Sequence, residues 1–123
     1  DTLFALGCGR LFEGTPAQMW NSLGKLKALP PQTLVYCAHE YTQANGRFAL
    51  SVEPDNKDLQ VRMHTIDTMR AKNIPTVPST LELELQTNPF LRPDSPGLQK
   101  TVGMIGGDLV AVFAETRARK DNF

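Results

Sequence analysis

The sequence has no excess of charge of either sign, because 13 lysines and arginines are balanced by 13 aspartates and glutamates. A balanced charge gives no reason to expect a nucleic acid or an anionic membrane surface as the partner. The chain also lacks any apolar run close to the ~20 residues that a membrane-spanning helix needs. We therefore expect neither nucleic acid nor membrane as a partner, and any cationic binding site must be local.

The sequence has few cysteines, and we expect no secretory signal. Cys8 and Cys37 are the only two cysteines, and they form neither a CxxC motif nor a zinc ribbon. We expect both to be small buried side chains in a reducing cytoplasm. The chain begins with Asp1 and shows no signal peptide, so we expect a native start upstream and a cytoplasmic location. Its 123 residues suit one domain or a piece of a larger one.

Three helix starts can be located from capping residues. Thr15 can cap a helix in which Pro16 takes the first position and Gln18 completes a capping box. Asn56 can cap a second helix, and Asp108 can begin the last one. The apolar sides of these helices are expected to be Met19, Trp20, Leu23 and Leu26, then Leu59, Met63, Ile66 and Met69, and finally Leu109, Val110 and Phe113.

A short apolar strand leads to the first candidate site residue. The run from Thr33 to Cys37 lacks polar alternation, so we expect a strand that is buried on both faces. His39 follows at its carboxyl end, where open α/β folds place metal ligands and catalytic groups. Residues 41–52 are then compatible with a helix, and the sequence after residue 57 is predicted to be mainly helical.

The segment Leu81-Glu82-Leu83-Glu84-Leu85 fits two structures. Its leucines alternate with glutamates as in a strand, yet Ser79 stands three residues before Glu82 as in a capping box. We favour a short helix.

Asp1 and His39 form a candidate pair of metal ligands. One helix and one strand separate them, the span of a crossover unit, so the two can lie at neighbouring strand ends. A carboxylate with an imidazole suits zinc, iron or manganese. Spacing alone leaves plainer interpretations open: a solvated chain start for Asp1 and a hydrogen-bonded structural histidine for His39.

A series of motifs runs in order along the chain, and it is more specific than this pair. The motifs are Asp1-Thr2-Leu3-Phe4, Gly7-Cys8-Gly9-Arg10, Phe12-Glu13-Gly14-Thr15, Pro31 through Thr42, Pro75-Thr76-Val77-Pro78-Ser79-Thr80-Leu81, Asn88-Pro89-Phe90-Leu91-Arg92 and Arg119-Lys120-Asp121-Asn122-Phe123. Together they resemble the second half of glyoxalase II, the hydroxyacylglutathione hydrolase family of the metallo-β-lactamase superfamily. The resemblance implies an α+β fold. Residues 1–52 would be a remnant of the αββα sandwich with few strands, and residues 53–123 a helical substrate-binding domain.

The resemblance also implies a reaction. It is the hydrolysis of a 2-hydroxyacyl thioester of glutathione, above all S-D-lactoylglutathione, by a hydroxide held between two divalent metals. Zinc is the expected metal, with iron or manganese as alternatives. By resemblance, Asp1 is the carboxylate that bridges the metals, and His39 is a terminal ligand of one of them.

Several residues in the first half of the chain are similar to substrate contacts of the family. Arg10 stands where the family usually has a lysine, and a guanidinium can hold a carboxylate at least as well. Phe12 replaces a frequent tyrosine, and Tyr41 offers a hydroxyl to the peptide backbone. Glu13 and Glu40 flank these motifs and are interpreted as residues that orient their neighbours.

The last helix is similar to a cationic part of the family's substrate site. Arg117 and Lys120 are three residues apart, which places them on one face. Arg119 is expected to make the same patch more cationic. Without the resemblance, a solvated helix end whose cations favour the helix dipole is the plainer interpretation.

The family's Thr-His-x-His-x-Asp-His loop does not occur in this sequence. With Asp1 and His39 alone, we expect weak or no metal binding. Apolar surface should be exposed, to be covered by the missing N-terminal half or by self-association. Two functions stay open: a piece of a metal-dependent thioesterase that is inactive alone, and a non-catalytic glutathione-binding or structural module that could be oligomeric.

Overall fold

The computed structural model describes residues 2–12 and 14–123. Over these residues the chain forms six α-helices, one 3₁₀ helix and four two-residue strands. The strands are β1 (Leu3–Phe4), β2 (Gly7–Cys8), β3 (Leu34–Val35) and β4 (Ser79–Thr80). The helices are α1 (Pro16–Lys27), α2 (Thr42–Val52), α3 (Lys57–Ala71), α4 (Leu81–Thr87), α5 (Pro96–Val102) and α6 (Leu109–Asp121), with the 3₁₀ helix at Pro89–Leu91. The predicted fold class, few strands followed by a helical region, is confirmed.

The helix starts follow the predicted caps. The Thr15 hydroxyl accepts a hydrogen bond from the Gln18 backbone at 3.2 Å, and Gln18 Oε1 accepts one from the Thr15 backbone at 2.8 Å. Asn56 and Asp108 cap α3 and α6 through their side-chain oxygens. These local hydrogen bonds satisfy N–H groups that a helix cannot satisfy itself, which is why the sequence predicts them well.

The segment after residue 80 is a helix, as favoured, but its predicted cap is wrong. Thr80 caps α4 by accepting from the Leu83 backbone at 3.3 Å. Ser79 lies in β4 and is buried, and its hydroxyl donates to Glu84 Oε2 at 2.5 Å. The strand pairing of Ser79 turns its side chain into the interior, so the residue beside it becomes the cap.

The strand before His39 is shorter and more exposed than predicted. Only Leu34–Val35 forms a strand, and its partner is β4 in an antiparallel pair. Leu34 is 53% exposed and Tyr36 72% exposed, so the prediction of burial on both faces is wrong. Within the described residues, no second layer covers this side of the pair. Strands β1 and β2 pair with each other in a separate hairpin, so β1 and β3 belong to different sheets. The crossover unit predicted between Asp1 and His39 is therefore not formed among the described strands.

The core draws on both sides of the predicted boundary at residue 52. Phe48 stacks on Phe90 with ring centroids 5.9 Å apart, and Phe90 meets Phe113 edge to face at 6.1 Å. A second cluster packs Leu6 against α2 and α3. The division into residues 1–52 and 53–123 stays a prediction. No helix in the described part of the chain is both long and apolar enough to cross a bilayer.

Helices α2 and α3 approach closely at Gly46. A Cβ added there would lie 1.9 Å from the sulfur of Met63, whereas a Cβ on Gly24 in α1 would meet nothing within 4 Å. Both glycines lie inside helices, so replacement by alanine brings each the same gain in helix propensity, about 1 kcal/mol.

We predict that Gly24→Ala raises the free energy of unfolding. The free energy of unfolding of Gly46→Ala should be about 1–3 kcal/mol lower than that of Gly24→Ala, because only Gly46→Ala overpacks the core. Urea denaturation of the two variants measures this difference. Equal stabilities would contradict the close packing of α2 on α3.

Candidate functional site

A cavity of about 440 Å³ lies between the β1–β2 hairpin, the residues around the start of α2 and the end of α6. Six of the seven site residues predicted from the sequence line it: Arg10, Phe12, His39, Tyr41, Arg117 and Lys120. Asp1, the seventh, lies outside the described residues, as does Glu13. The rest of the lining is Phe4, Gly7, Cys8, Gly9, Ala44, Asn45 and Phe90.

An aromatic group forms one side of the cavity. The rings of His39 and Tyr41 are stacked, with centroids 4.8 Å apart and planes at 15°. Phe4 from β1 packs against both, at 6.0 Å from His39 and 5.7 Å from Tyr41. The imidazole is therefore held at the edge of the cavity by ring contacts.

Glu40 fixes the loop that carries these two rings. Its carboxylate accepts hydrogen bonds from the Thr76 backbone at 3.1 Å and from the Thr76 hydroxyl. Thr76 belongs to the connector that leads into β4. The interpretation of Glu40 as a residue that orients its neighbours agrees with this contact.

Arg117 is buried, which corrects the interpretation of a solvated helix end. It is 4% exposed, and Nη1 donates to the carbonyl of Cys8 at 2.7 Å. Nε and Nη2 contact Asp121 Oδ1 at 3.1 and 2.9 Å, and the guanidinium lies 5.1 Å from the Phe90 ring centroid. Arg117 thus joins the last helix to the hairpin at the start of the chain.

The expectation that Arg119 strengthens the same patch is wrong. Arg119 pairs with Glu115 at 3.1 Å and lines a different groove beside Phe48. Two residues along an α-helix correspond to about 200° of rotation, so Arg119 lies on nearly the opposite face from Arg117.

Arg10 and Lys120 are the accessible cations of the cavity. Arg10 is only loosely held, with Nε 3.7 Å from Asp121 Oδ1 and a side chain 60% exposed. Partial burial lowers the pKa of Lys120, with the positive charges of Arg117 and Arg10 acting in the same direction and Asp121 against it. Among the described residues, three cations line the cavity and one carboxylate, Asp121, contacts two of them, so their charges sum to plus two. Such a site favours an anionic ligand.

The two cysteines are free thiols in different surroundings. Cys8 lines the cavity, and burial raises its pKa to about 11, although Arg117 acts in the opposite direction. It is therefore a protonated thiol at neutral pH and a poor nucleophile. Cys37 is only partly buried, contrary to the prediction, because it follows the exposed strand β3; its Sγ lies 3.6 Å from the carbonyl of His39.

The described residues do not form a metal centre by themselves. Among residues 2–12 and 14–123, no three His, Cys, Asp or Glu side chains are grouped so that they could hold a metal. A catalytic zinc needs at least three protein ligands, and His39 is a single one.

Two residues of the site were missed from the sequence. Asp121 orders Arg117 and contacts Arg10, and its i, i+4 spacing from Arg117 is a signal that could have revealed it. Asn45 lines the cavity behind Gly7, where an added Cβ would lie 2.6 Å from Asn45 Nδ2. No local pattern in the sequence indicates that contact, since the two residues are far apart along the chain.

The lowered pKa of Lys120 predicts a pH dependence of anion binding. As pH rises, Lys120 loses its proton below the ordinary lysine value of 10.5, and its attraction for a carboxylate is lost with the proton. We predict that the affinity for a carboxylate ligand falls at lower pH in the unmodified chain than in Lys120→Arg, which stays charged. In calorimetric titrations across pH 7–10, the ionisation of the ligand affects both proteins equally. The ratio of the two affinities at each pH therefore reports the ionisation of Lys120. Parallel pH profiles of affinity for the two proteins would contradict a role of Lys120 in anion binding.

Comparison with known proteins identifies the family of this chain. Residues 40–123 match the family described as hydroxyacylglutathione hydrolase C-terminus. Over all 123 residues, the chain is 61% identical to the hydroxyacylglutathione hydrolase of Maricaulis maris, 64% to that of Ruegeria pomeroyi and 58% to that of Methylococcus capsulatus. It covers 48% of each of these proteins, so it spans about half the length of the curated relatives it matches. This chain belongs to the hydroxyacylglutathione hydrolase C-terminal family.

Proposed function

We propose that this chain is the glutathione-binding part of a hydroxyacylglutathione hydrolase, a thioesterase that converts S-D-lactoylglutathione to D-lactate and glutathione. The observation that carries the proposal is the convergence of six sequence-predicted residues on one cavity of about 440 Å³. They come from the hairpin, the His39 loop and the last helix, regions up to about a hundred residues apart in the chain. Such convergence of charged and aromatic groups is typical of a ligand site.

The charge of the cavity suits the peptide part of this substrate. Glutathione carries two carboxylates and one ammonium group, so its net charge at neutral pH is negative. Arg10 is exposed enough to reach a ligand, and Lys120 has no ion-pair partner among the described residues. We assign direct contact with the carboxylates to these two cations. Tyr41, whose ring is stacked on His39, would contact the less polar middle of the tripeptide.

Arg117 has a different part in this proposal. Its guanidinium is already engaged by the Cys8 carbonyl and by Asp121, so it supplies positive potential and a fixed wall. A charged group that is pre-ordered in this way costs little reorganisation when a ligand binds.

We propose that catalysis requires residues beyond those described. His39 and Asp1 would supply two ligands of a binuclear centre, with zinc as the first candidate and iron or manganese as alternatives. The remaining ligands would come from the N-terminal half, because the chain covers 48% of the length of its relatives. The two free thiols are compatible with a cytoplasmic location, where reducing conditions keep cysteines unpaired.

The same N-terminal half would cover the exposed apolar face beside β3, formed by Leu29, Leu34 and Tyr36. Self-association is the other way to cover it. We expect sedimentation velocity to detect concentration-dependent dimers of the isolated chain, and Leu34→Ser with Tyr36→Ser to abolish them. An isolated chain that stays monomeric at high concentration would leave only the N-terminal half as the partner.

A second function, glutathione binding without catalysis, is favoured by one observation. The described residues bring three cations together in one cavity, whereas they do not bring together the ligands of a metal centre. A chain that binds glutathione but gains no activity when joined to an N-terminal half would support this alternative.

A chimera tests the catalytic proposal. Residues 1–123 would replace the matching part of the Maricaulis maris protein, which is 61% identical. We predict hydrolysis of S-D-lactoylglutathione at a rate within about tenfold of the parent enzyme, because the binding half is equivalent. In the chimera, Lys120→Ala should raise KM by about ten- to a hundredfold with a smaller change in kcat, since one charge-assisted hydrogen bond contributes about 1.5–3 kcal/mol.

Arg119→Ala is the matched control, because Arg119 is on the same helix but outside the cavity. It should leave KM within about twofold of the chimera, a change expected of an exposed ion pair. A folded chimera without activity would refute the catalytic proposal. Equal KM values for the two variants would remove Lys120 from the substrate site.

A further inference from the structure

The turn of the β1–β2 hairpin is buried, although turns are usually solvated. It consists of Ala5 and Leu6, which are 1% and 0% exposed. Leu6 has φ of 59°, in the left-handed region that residues other than glycine seldom adopt. Buried backbone groups need hydrogen-bond partners, and in this turn side chains provide them.

Side chains from α2, from α4 and from the residue just after α4 satisfy the turn. The Leu6 N–H donates to Glu84 Oε1 at 2.8 Å. Asn88 Nδ2, just after α4, donates to the carbonyls of Phe4 and Gly7 at 3.1 and 3.0 Å. Asn45 Nδ2, from α2, completes the set by donating to the Ala5 carbonyl at 3.2 Å.

Glu84 is itself held on all sides. Its side chain is fully buried, and Oε2 contacts Arg62 Nη2 at 2.7 Å and accepts from the Ser79 hydroxyl at 2.5 Å. Oε1 also accepts from Asn88 Nδ2 at 3.1 Å. A buried ion pair is weak evidence of stabilisation, since desolvation offsets much of its attraction. What the pair does provide is a carboxylate with a fixed position under the turn.

The position of the hairpin determines the shape of the cavity. Phe4, Gly7 and Cys8 line the cavity, and the Cys8 carbonyl is the group on which Arg117 docks. Arg10 follows directly after the hairpin. A displacement of the turn would therefore move one wall and two of the three cations.

We propose that Glu84 and Asn88 are positioning residues that set the hairpin against Arg117 and so give the cavity its ligand-binding shape. This inference rests on the proposed function, in which the cavity binds glutathione. Neither residue touches the cavity, and both act through the backbone of the turn.

The test compares two double variants that both remove the buried ion pair. Glu84→Gln with Arg62→Met keeps an acceptor for the Leu6 N–H, whereas Glu84→Leu with Arg62→Met does not. Neither leaves an unpaired buried charge. By calorimetry with glutathione, we expect the first to bind within about threefold of the unmodified chain and the second at least tenfold more weakly. Equal affinities would overturn the proposal.

A matched control separates positioning from stability. Glu53 and Arg92 form another partly buried ion pair, at 2.8 Å and outside the cavity. Glu53→Gln with Arg92→Met should lower the melting temperature without weakening glutathione binding. If this control weakens binding as much as the Glu84→Leu pair, the role of Glu84 is merely structural and the proposal fails. If the Glu84→Leu pair does not fold, Asn88→Ala in the unmodified chain gives the same test, and native-like affinity would overturn it.

Nuclear magnetic resonance makes the test independent of glutathione. In the Glu84→Leu pair, the Arg117 Nε–H signal and the Cys8 and Gly9 amide signals should shift, whereas the Glu53 control should leave them in place. If the unmodified chain does not bind glutathione, the proposed function fails, and these shifts still decide whether Glu84 positions the hairpin. Unchanged signals would refute the positioning role.

Discussion

The cavity depends on one side chain, Arg117, which connects two segments 109 residues apart in the sequence. Its Nη1 holds the Cys8 carbonyl at 2.7 Å, and its other nitrogens contact Asp121. Such a buried guanidinium costs desolvation, which its hydrogen bonds and the Phe90 ring offset. Among the described residues, Arg117 supplies the hydrogen bonds between the hairpin segment and the last helix, and the cavity lies between these two elements.

The three cations of the cavity have different roles. Arg117 makes contacts within the protein, with the Cys8 carbonyl and Asp121, while Arg10 and Lys120 remain accessible to a ligand. The division explains why a family motif with several basic residues yields only two candidates for direct contact. It also explains Asp121, which orders the guanidiniums and leaves a net positive charge in the cavity.

The sequence predicted the helix starts well, because they depend on neighbouring residues. It predicted less well the features that depend on contacts between distant segments. Thr15, Asn56 and Asp108 cap the helices that the sequence assigned to them, because a cap needs only its own next three residues. The wrong cap at Ser79 and the exposed strand at Leu34 both arise from tertiary context. Ser79 pairs in a strand and faces Glu84, and nothing in the described residues covers Leu34. Arg119 was misassigned because it was grouped by proximity in sequence, although helical rotation separates it from Arg117.

The candidate site was predictable to a large extent because a family resemblance supplied its residues. Spacing alone left His39 open to a structural interpretation, and nothing in the residues joined it to Arg117. What the resemblance could not give is the support beneath the site. Asn45, Glu84 and Asn88 act on a hairpin about 40 to 80 residues away, through contacts that only the folded chain reveals.

The most direct test of this account is a crystal structure of the 123-residue chain with glutathione at saturating concentration. The account predicts electron density for the tripeptide in the cavity, with carboxylates within hydrogen-bond distance of Lys120 Nζ and the Arg10 guanidinium, and with the Arg117 to Cys8 contact unchanged. Glutathione bound elsewhere, or held by Arg117 after it has left Cys8 and Asp121, would contradict it.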